Sequence, residues 1–133
     1  MKNKKDFLSM LWVFVTLNYL YCDLMGLMDS SLLKQYLTGN VEGLVINERF
    51  LLYAAFLMEI PIVMVLLSKT LPKKANCWAN IISGAIKTLA MVATLFIGTT
   101  TEYYLFFALI EITTTLFIVS YAINWLMQKE ELT

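Results

Sequence analysis

Four apolar segments, each about 20 residues or longer, constrain the fold of this chain more than any other feature. They occupy residues 7–28, 50–69, 78–98 and 103–127. A helix of about 20 apolar residues crosses about 30 Å of hydrocarbon, and only helices satisfy their backbone polar groups within one segment there. Because the alternating pattern of barrel strands is absent, the sequence predicts an all-α integral membrane four-helix bundle, formed as a single domain over residues 1–133.

The composition agrees with a membrane location and excludes several classes of function. Of the 133 residues, 59% are hydrophobic and 15% are charged, whereas soluble domains are about half apolar and a quarter charged. A net charge of zero offers no basic surface, so we expect no nucleic acid partner. The chain lacks histidine, and Cys22 and Cys77 belong to opposite ends of the bundle. We therefore expect no metal site, no cofactor and no intramolecular disulfide.

Basic residues are distributed unequally between the two sides of the predicted bundle. Seven precede the first segment, follow the fourth, or join the second and third. They are Lys2, Lys4, Lys5, Lys69, Lys73, Lys74 and Lys129. Only Lys34 and Arg49 lie in the other connections. The positive-inside rule therefore predicts both termini on the cytoplasmic side of the membrane, with Trp12, Trp78 and Trp125 at that interface.

The long connection between the first two segments predicts a short amphipathic helix on the outer face. Asp29 is a suitable N-cap, apolar residues follow at helical spacing, and Gly39 is a suitable C-cap. We interpret residues 43–46 as a plug that folds down toward the bundle.

Three ionisable residues, Glu59, Lys87 and Glu111, lie deep within the segments. All three fall roughly 12–17 Å from the outer boundary, in one layer. Because each charge costs about 2.5–3.5 kcal/mol at a lipid-facing helix centre, we expect the three side chains to converge inside the bundle, with Lys87 bonded to a glutamate. Small and hydroxylated residues, including Gly84 and Thr115, flank Lys87 and Glu111 at helical spacing and indicate an inward-facing surface.

Three interpretations of this Glu/Lys/Glu cluster remain open. In the first, the cluster binds or transports a small molecule or a proton, because one glutamate is left over after an ion pair forms. In the second, the protein is a structural or accessory subunit and the cluster fixes helix register. In the third, the protein is a membrane enzyme on a lipid-like substrate, which the lack of histidine and of a paired-cysteine motif disfavours.

Three further residues complete the set of candidates. Asn18 is deep enough in the first segment to bond across helices, and Thr115 lies one turn from Glu111. Asp23 is about one turn from the outer boundary, where solvation or capping competes with a functional role. Membrane lipid surrounds such a bundle, and its apolar faces are compatible with a homo-oligomer.

Several stretches carry a resemblance to known proteins. They are LNYLYCD at 17–23, MGLMD at 25–29, LKQYLTG at 33–39, MEIPI at 58–62 and NCWAN at 76–80. In these stretches the chain resembles a family of small bacterial four-span membrane proteins of unknown function, similar in layout to the DoxX-like group. The resemblance implies a four-helix bundle in a bacterial inner membrane and implies no substrate.

Overall fold

Four long helices and one short helix account for nearly all of the structure. The computed structural model describes residues 4–41, 44–96 and 101–128. The elements are α1 (Lys4–Met28), α2 (Ser30–Thr38), β1 (Asn40–Val41), β2 (Leu44–Val45), α3 (Glu48–Thr70), α4 (Lys73–Thr94) and α5 (Glu102–Met127). Helices α1, α3, α4 and α5 are long and apolar enough to cross a membrane. The all-α class and the four long apolar helices are thus confirmed.

Local capping explains where the helices begin. The Asn47 side chain accepts a hydrogen bond from the Phe50 amide (2.9 Å) at the start of α3. The Thr101 hydroxyl accepts one from the Tyr104 amide (3.3 Å) at the start of α5. Such caps satisfy amide groups that have no partner within the helix. Helix α4 ends at Thr94, whereas the third apolar segment is predicted to end at residue 98. Residues 97 and 98 of that segment lie outside the described ranges.

The predicted helix between the first two spans is confirmed as α2. The Asp29 carboxylate accepts from the amides of Ser31 (3.1 Å) and Leu32 (3.4 Å), and Gly39 ends the helix with a φ of 80°. The plug expected at 43–46 is wrong for the residues that the structure describes. Leu44–Val45 pairs antiparallel with Asn40–Val41 in a small hairpin that satisfies its own backbone, while Gly43 lies outside the described residues.

The bundle core forms where α1 packs against α3 and α5 and where α4 packs against α5. Its buried hydrophobic residues are Leu8, Trp12, Val15, Tyr19, Met64, Met91, Ala108 and Ile118. Gly84 allows α4 to approach α5 closely, because a Cβ atom there would lie 2.5 Å from Val119 Cγ2.

Two ends of the bundle can be distinguished. We call the end that carries the α3–α4 connection the terminal half; it includes Trp12, Ser68 and Asn80. Its surface is linked by a Lys69–Asp6 ion pair (3.0 Å) and by a bond from Lys73 to the Gln128 carbonyl (2.9 Å). We call the end that carries α2 and the hairpin the α2 half.

Candidate functional site

A cavity of about 170 Å³ lies in the α2 half, between α1, α3, α4 and α5. Its lining residues are Tyr19, Cys22, Asp23, Leu57, Met58, Lys87, Ala90, Met91, Thr94, Tyr104 and Glu111. A protein cavity of about 150 Å³ holds one benzene ring. The cavity therefore has room for a guest about the size of a single six-membered ring.

Lys87 is buried in the wall of this cavity without a carboxylate in direct contact. The residue is 2% exposed, and its Nζ lies 4.2 Å from the centroid of the Tyr19 ring. Its nearest hydrogen-bond acceptor is the Met58 sulfur, at 3.7 Å. The ring face attracts the ammonium electrostatically, and the thioether accepts only weakly. Within the described part of the chain no oxygen accepts from Lys87, so the expected bond to a glutamate is wrong.

Glu111 is the most buried carboxylate of the cavity, at 1% exposure. Its Oε2 atom has no hydrogen-bond partner among the described residues, and the same holds for the Tyr19 hydroxyl. Buried polar atoms are almost always paired, because an unpaired one forfeits its hydration without compensation. Two such atoms on residues that line one cavity indicate a place where a polar guest or water completes the hydrogen bonding.

Glu59 does not join this cluster, and the prediction that it faces inward is wrong. Its side chain is exposed and does not line the cavity. The buried residues of α3 are Pro61, Met64 and Ser68. At about 100° per residue, Glu59 points roughly 200° away from Pro61, which directs the carboxylate to the outer surface of the bundle.

Asp23 supplies the second carboxylate of the site in place of Glu59. Its side chain lines the cavity and is also exposed, so it lies at the cavity mouth. Lys87 and Glu111 line the same cavity as Asp23. Outside the spans, partial burial raises the pKa of the Tyr36 phenol, and the Asp23 carboxylate adds to this effect. Helix α2 is therefore within electrostatic reach of the mouth.

Two other candidates lie outside the cavity lining. Asn18 donates to the Phe14 carbonyl of its own helix (2.9 Å), so the expected bond across helices is wrong. Short amides reach their own backbone one turn away more readily than a neighbouring helix. Thr115 is fully buried, as its inward-facing pattern indicated, and its hydroxyl shares a hydrogen bond with that of Thr88 (2.7 Å). That contact joins α4 to α5.

Sequence reasoning missed several residues of the cavity wall. Tyr104 donates to the Thr94 hydroxyl (2.5 Å), and both residues line the cavity. Tyr104 shares a helical face with Glu111, and Tyr19 lies one turn before Asp23, so spacing signalled both. The free thiol of Cys22 also lines the cavity, whereas that of Cys77 does not. In the described ranges no group of acidic and thiol side chains could hold a metal ion.

The terminal half also buries polar side chains, but there they bond to one another. Trp12 Nε1 donates to Asn80 Oδ1 (2.7 Å), Asn80 Nδ2 donates to Asn76 Oδ1 (2.7 Å), and Asn76 Nδ2 donates to the Ser68 carbonyl (2.7 Å). Trp12 is fully buried, so its predicted place at the membrane interface is wrong. This indole is satisfied inside the bundle, and each of these three side chains has a hydrogen-bond partner within the network.

Comparison with known proteins identifies the family of the chain. No curated protein and no solved structure gives a significant match. The family model described as "Family of unknown function (DUF6326)" matches residues 1–133, which agrees with the expected membership of an uncharacterised family. The chain therefore belongs to the DUF6326 family of unknown function, whose model covers its whole length.

Proposed function

We propose that this integral membrane protein binds a small molecule in the cavity of the α2 half, with Asp23, Lys87 and Glu111 as its polar contacts. The observation that carries the proposal is the unpartnered Oε2 of Glu111 in a cavity that is also lined by the buried Lys87. Both ions lose hydration on burial, and neither regains a direct oxygen or nitrogen partner among the described residues. A bound polar guest restores those hydrogen bonds.

We also propose that both termini lie on the cytoplasmic side of a bacterial inner membrane, in a DoxX-like layout. The seven-to-two bias of basic residues supports this orientation. The cavity mouth then faces away from the cytoplasm, because it lies at the α2 end of the bundle. Reporter fusions at Lys34 and Lys74 should read outside and inside respectively, and the reverse pattern would contradict the orientation.

The native thiol of Cys22 provides a direct test of ligand binding, because it lines the cavity. In a Cys77→Ser background, purified protein is treated with methyl methanethiosulfonate, a reagent small enough for the cavity. Ring-sized solutes of positive, negative and zero charge are added in turn. We expect at least one of them to slow modification of Cys22 by about threefold or more at saturation, since bound ligand occupies the same space.

Two alanines on α4 give matched controls for this experiment. Ala90 lines the cavity, whereas Ala93 is exposed elsewhere on the helix. Ala90→Leu fills the cavity and should abolish protection, while Ala93→Leu should retain it. If no solute protects Cys22, or if Ala90→Leu retains protection, the binding function is contradicted and the charged residues serve helix packing alone.

A further inference from the structure

We infer that the cavity selects an uncharged ligand with a hydroxyl group on a small apolar body, such as an alcohol or phenol of one ring. This ligand class rests on the proposed function, because it assumes that the cavity binds a molecule. The inference follows from the donors and acceptors that the cavity presents and from the signs of its charges.

The cavity offers donors and an acceptor that lack matching partners. Lys87 has three N–H donors, and its contacts among the described residues are the Met58 sulfur at 3.7 Å and the face of the Tyr19 ring. Glu111 Oε2 is an acceptor with no partner among the described residues. A hydroxyl group accepts a hydrogen bond from the ammonium and donates one to the carboxylate. A hydroxyl group is therefore chemically matched to both residues, which line the same cavity.

A charged ligand of either sign meets a charge of the same sign in this cavity. An ammonium group that approached Glu111 would share the cavity with the ammonium group of Lys87. A carboxylate that approached Lys87 would pass Asp23 at the mouth and face Glu111 inside. Like charges repel strongly where little water screens them. An uncharged polar head avoids both conflicts.

The remaining residues of the cavity wall determine the size and polarity of the rest of the ligand. Leu57, Met58 and Met91 contribute apolar side chains, and methionine adapts its shape to irregular guests. The volume of about 170 Å³ limits the enclosed part of the ligand to about one ring. Such walls recognise hydrocarbon, while the hydroxyl fixes its orientation.

Four ligands that share one ring test this inference: cyclohexanol, cyclohexylammonium, cyclohexanecarboxylate and methylcyclohexane. Protection of Cys22 is measured in the Cys77→Ser protein as a function of ligand concentration. We expect cyclohexanol to protect at a concentration about tenfold lower than any of the other three, because only its head bonds to both Lys87 and Glu111. A preference for either ion or for the hydrocarbon overturns the hydroxyl assignment and leaves the binding function standing.

Charge-altering variants sharpen the result. Lys87→Met retains the length of the side chain and leaves two carboxylates, so the preferred ligand should change to cyclohexylammonium. Lys74→Met, at an exposed position of α4, is the matched control and should keep the preference for cyclohexanol. Glu111→Gln provides a second variant if Lys87→Met does not fold, and it should improve binding of the carboxylate by about tenfold. Unchanged preferences in the folded variants overturn the inference, and failure of all four ligands in the parent overturns the proposed function with it.

Discussion

Both halves of the bundle bury polar side chains, but the two halves differ in whether those side chains have hydrogen-bond partners. In the terminal half, Trp12, Asn76 and Asn80 bond to one another at 2.7 Å. In the α2 half, Glu111 Oε2 and the Tyr19 hydroxyl have no partner among the described residues, and a cavity lies between them and Asp23. The same fold therefore supports a closed network at one end and an incomplete one at the other.

This difference separates the residues that stabilise the protein from the residues that are available to bind a ligand. A satisfied network rigidifies a bundle and specifies how its helices pack. An unsatisfied one destabilises the bundle, and a chain retains it where a ligand or water completes the hydrogen bonds. Replacing buried polar residues by apolar ones should therefore have opposite effects on stability in the two halves.

The largest effect should come from Asn80→Leu in the terminal half. This change removes the acceptor of the Trp12 indole and of the Ser68 hydroxyl and the donor to Asn76 Oδ1, so three buried groups lose this partner. We expect the free energy of unfolding in mixed micelles to fall by about 3 kcal/mol. Asn18→Leu is the control, because its amide bonds only to its own helix, and it should cost less than about 1 kcal/mol. Equal losses in both variants would show that the network is not a special source of stability.

A somewhat smaller loss should follow Gly84→Ala, between the two halves. A Cβ atom at this position would meet Val119 Cγ2 at 2.5 Å and the Thr115 carbonyl oxygen at 3.3 Å. We expect a loss of about 2 kcal/mol in unfolding free energy, since α4 and α5 must separate to make room. Adding Val119→Ala should recover part of the loss. Failure of this second change to help would locate the strain at the backbone of Thr115 instead.

A gain in stability should follow the double replacement Lys87→Met, Glu111→Met in the α2 half. Both side chains are nearly fully buried, and neither is satisfied by a direct ion pair among the described residues. Apolar residues of similar length should raise the free energy of unfolding by about 1 kcal/mol while ligand protection of Cys22 is lost. A fall of that size would mean that the two halves do not differ in the way proposed.

The smallest effect should come from Glu59→Gln on the outer surface of α3. Because Glu59 is exposed, its replacement should change the unfolding free energy in micelles by less than about 0.5 kcal/mol. Ligand protection of Cys22 should be unchanged, in contrast to Glu111→Gln. Loss of protection in this variant would show that Glu59 contributes to the binding site.

The contrast between α4 and α3 shows how far sequence alone could define the site. The buried face of α4 carries Asn76, Asn80, Gly84 and Lys87, so its small and polar residues indicated which side faces inward. Helix α3 is apolar over most of its surface, and its buried residues are Pro61, Met64 and Ser68, so a single small polar residue near its end distinguished the inward face. The prediction for Glu59 depended on its depth along the helix, but depth does not determine the direction in which a side chain points.

Partners distant in the sequence account for the other errors. In the sequence Trp12 resembles an interfacial tryptophan, because the acceptor of its indole N–H, Asn80, lies 68 residues away in the chain. Helix caps depend on neighbours in the chain, so Asp29 and Gly39 predicted α2 correctly. Spacing assigns Asp23 to the outer end of the first segment, yet its position at a cavity mouth depends on the packing of four helices.

The buried amide network of the terminal half has a consequence for the order in which the bundle assembles. Asn76 bonds to the Ser68 carbonyl, and Ser68 bonds to Asn80, across separations of only 8 and 12 residues. Contacts this local close with little loss of chain entropy, so the α3–α4 hairpin can satisfy these groups before α5 is synthesised. The α3–α4 pair thus joins the bundle with its amides already hydrogen-bonded, and packing against α1 adds the indole of Trp12 to the network. Lys87 and Glu111, in contrast, lie on α4 and α5 and come together only once the last helix is in place.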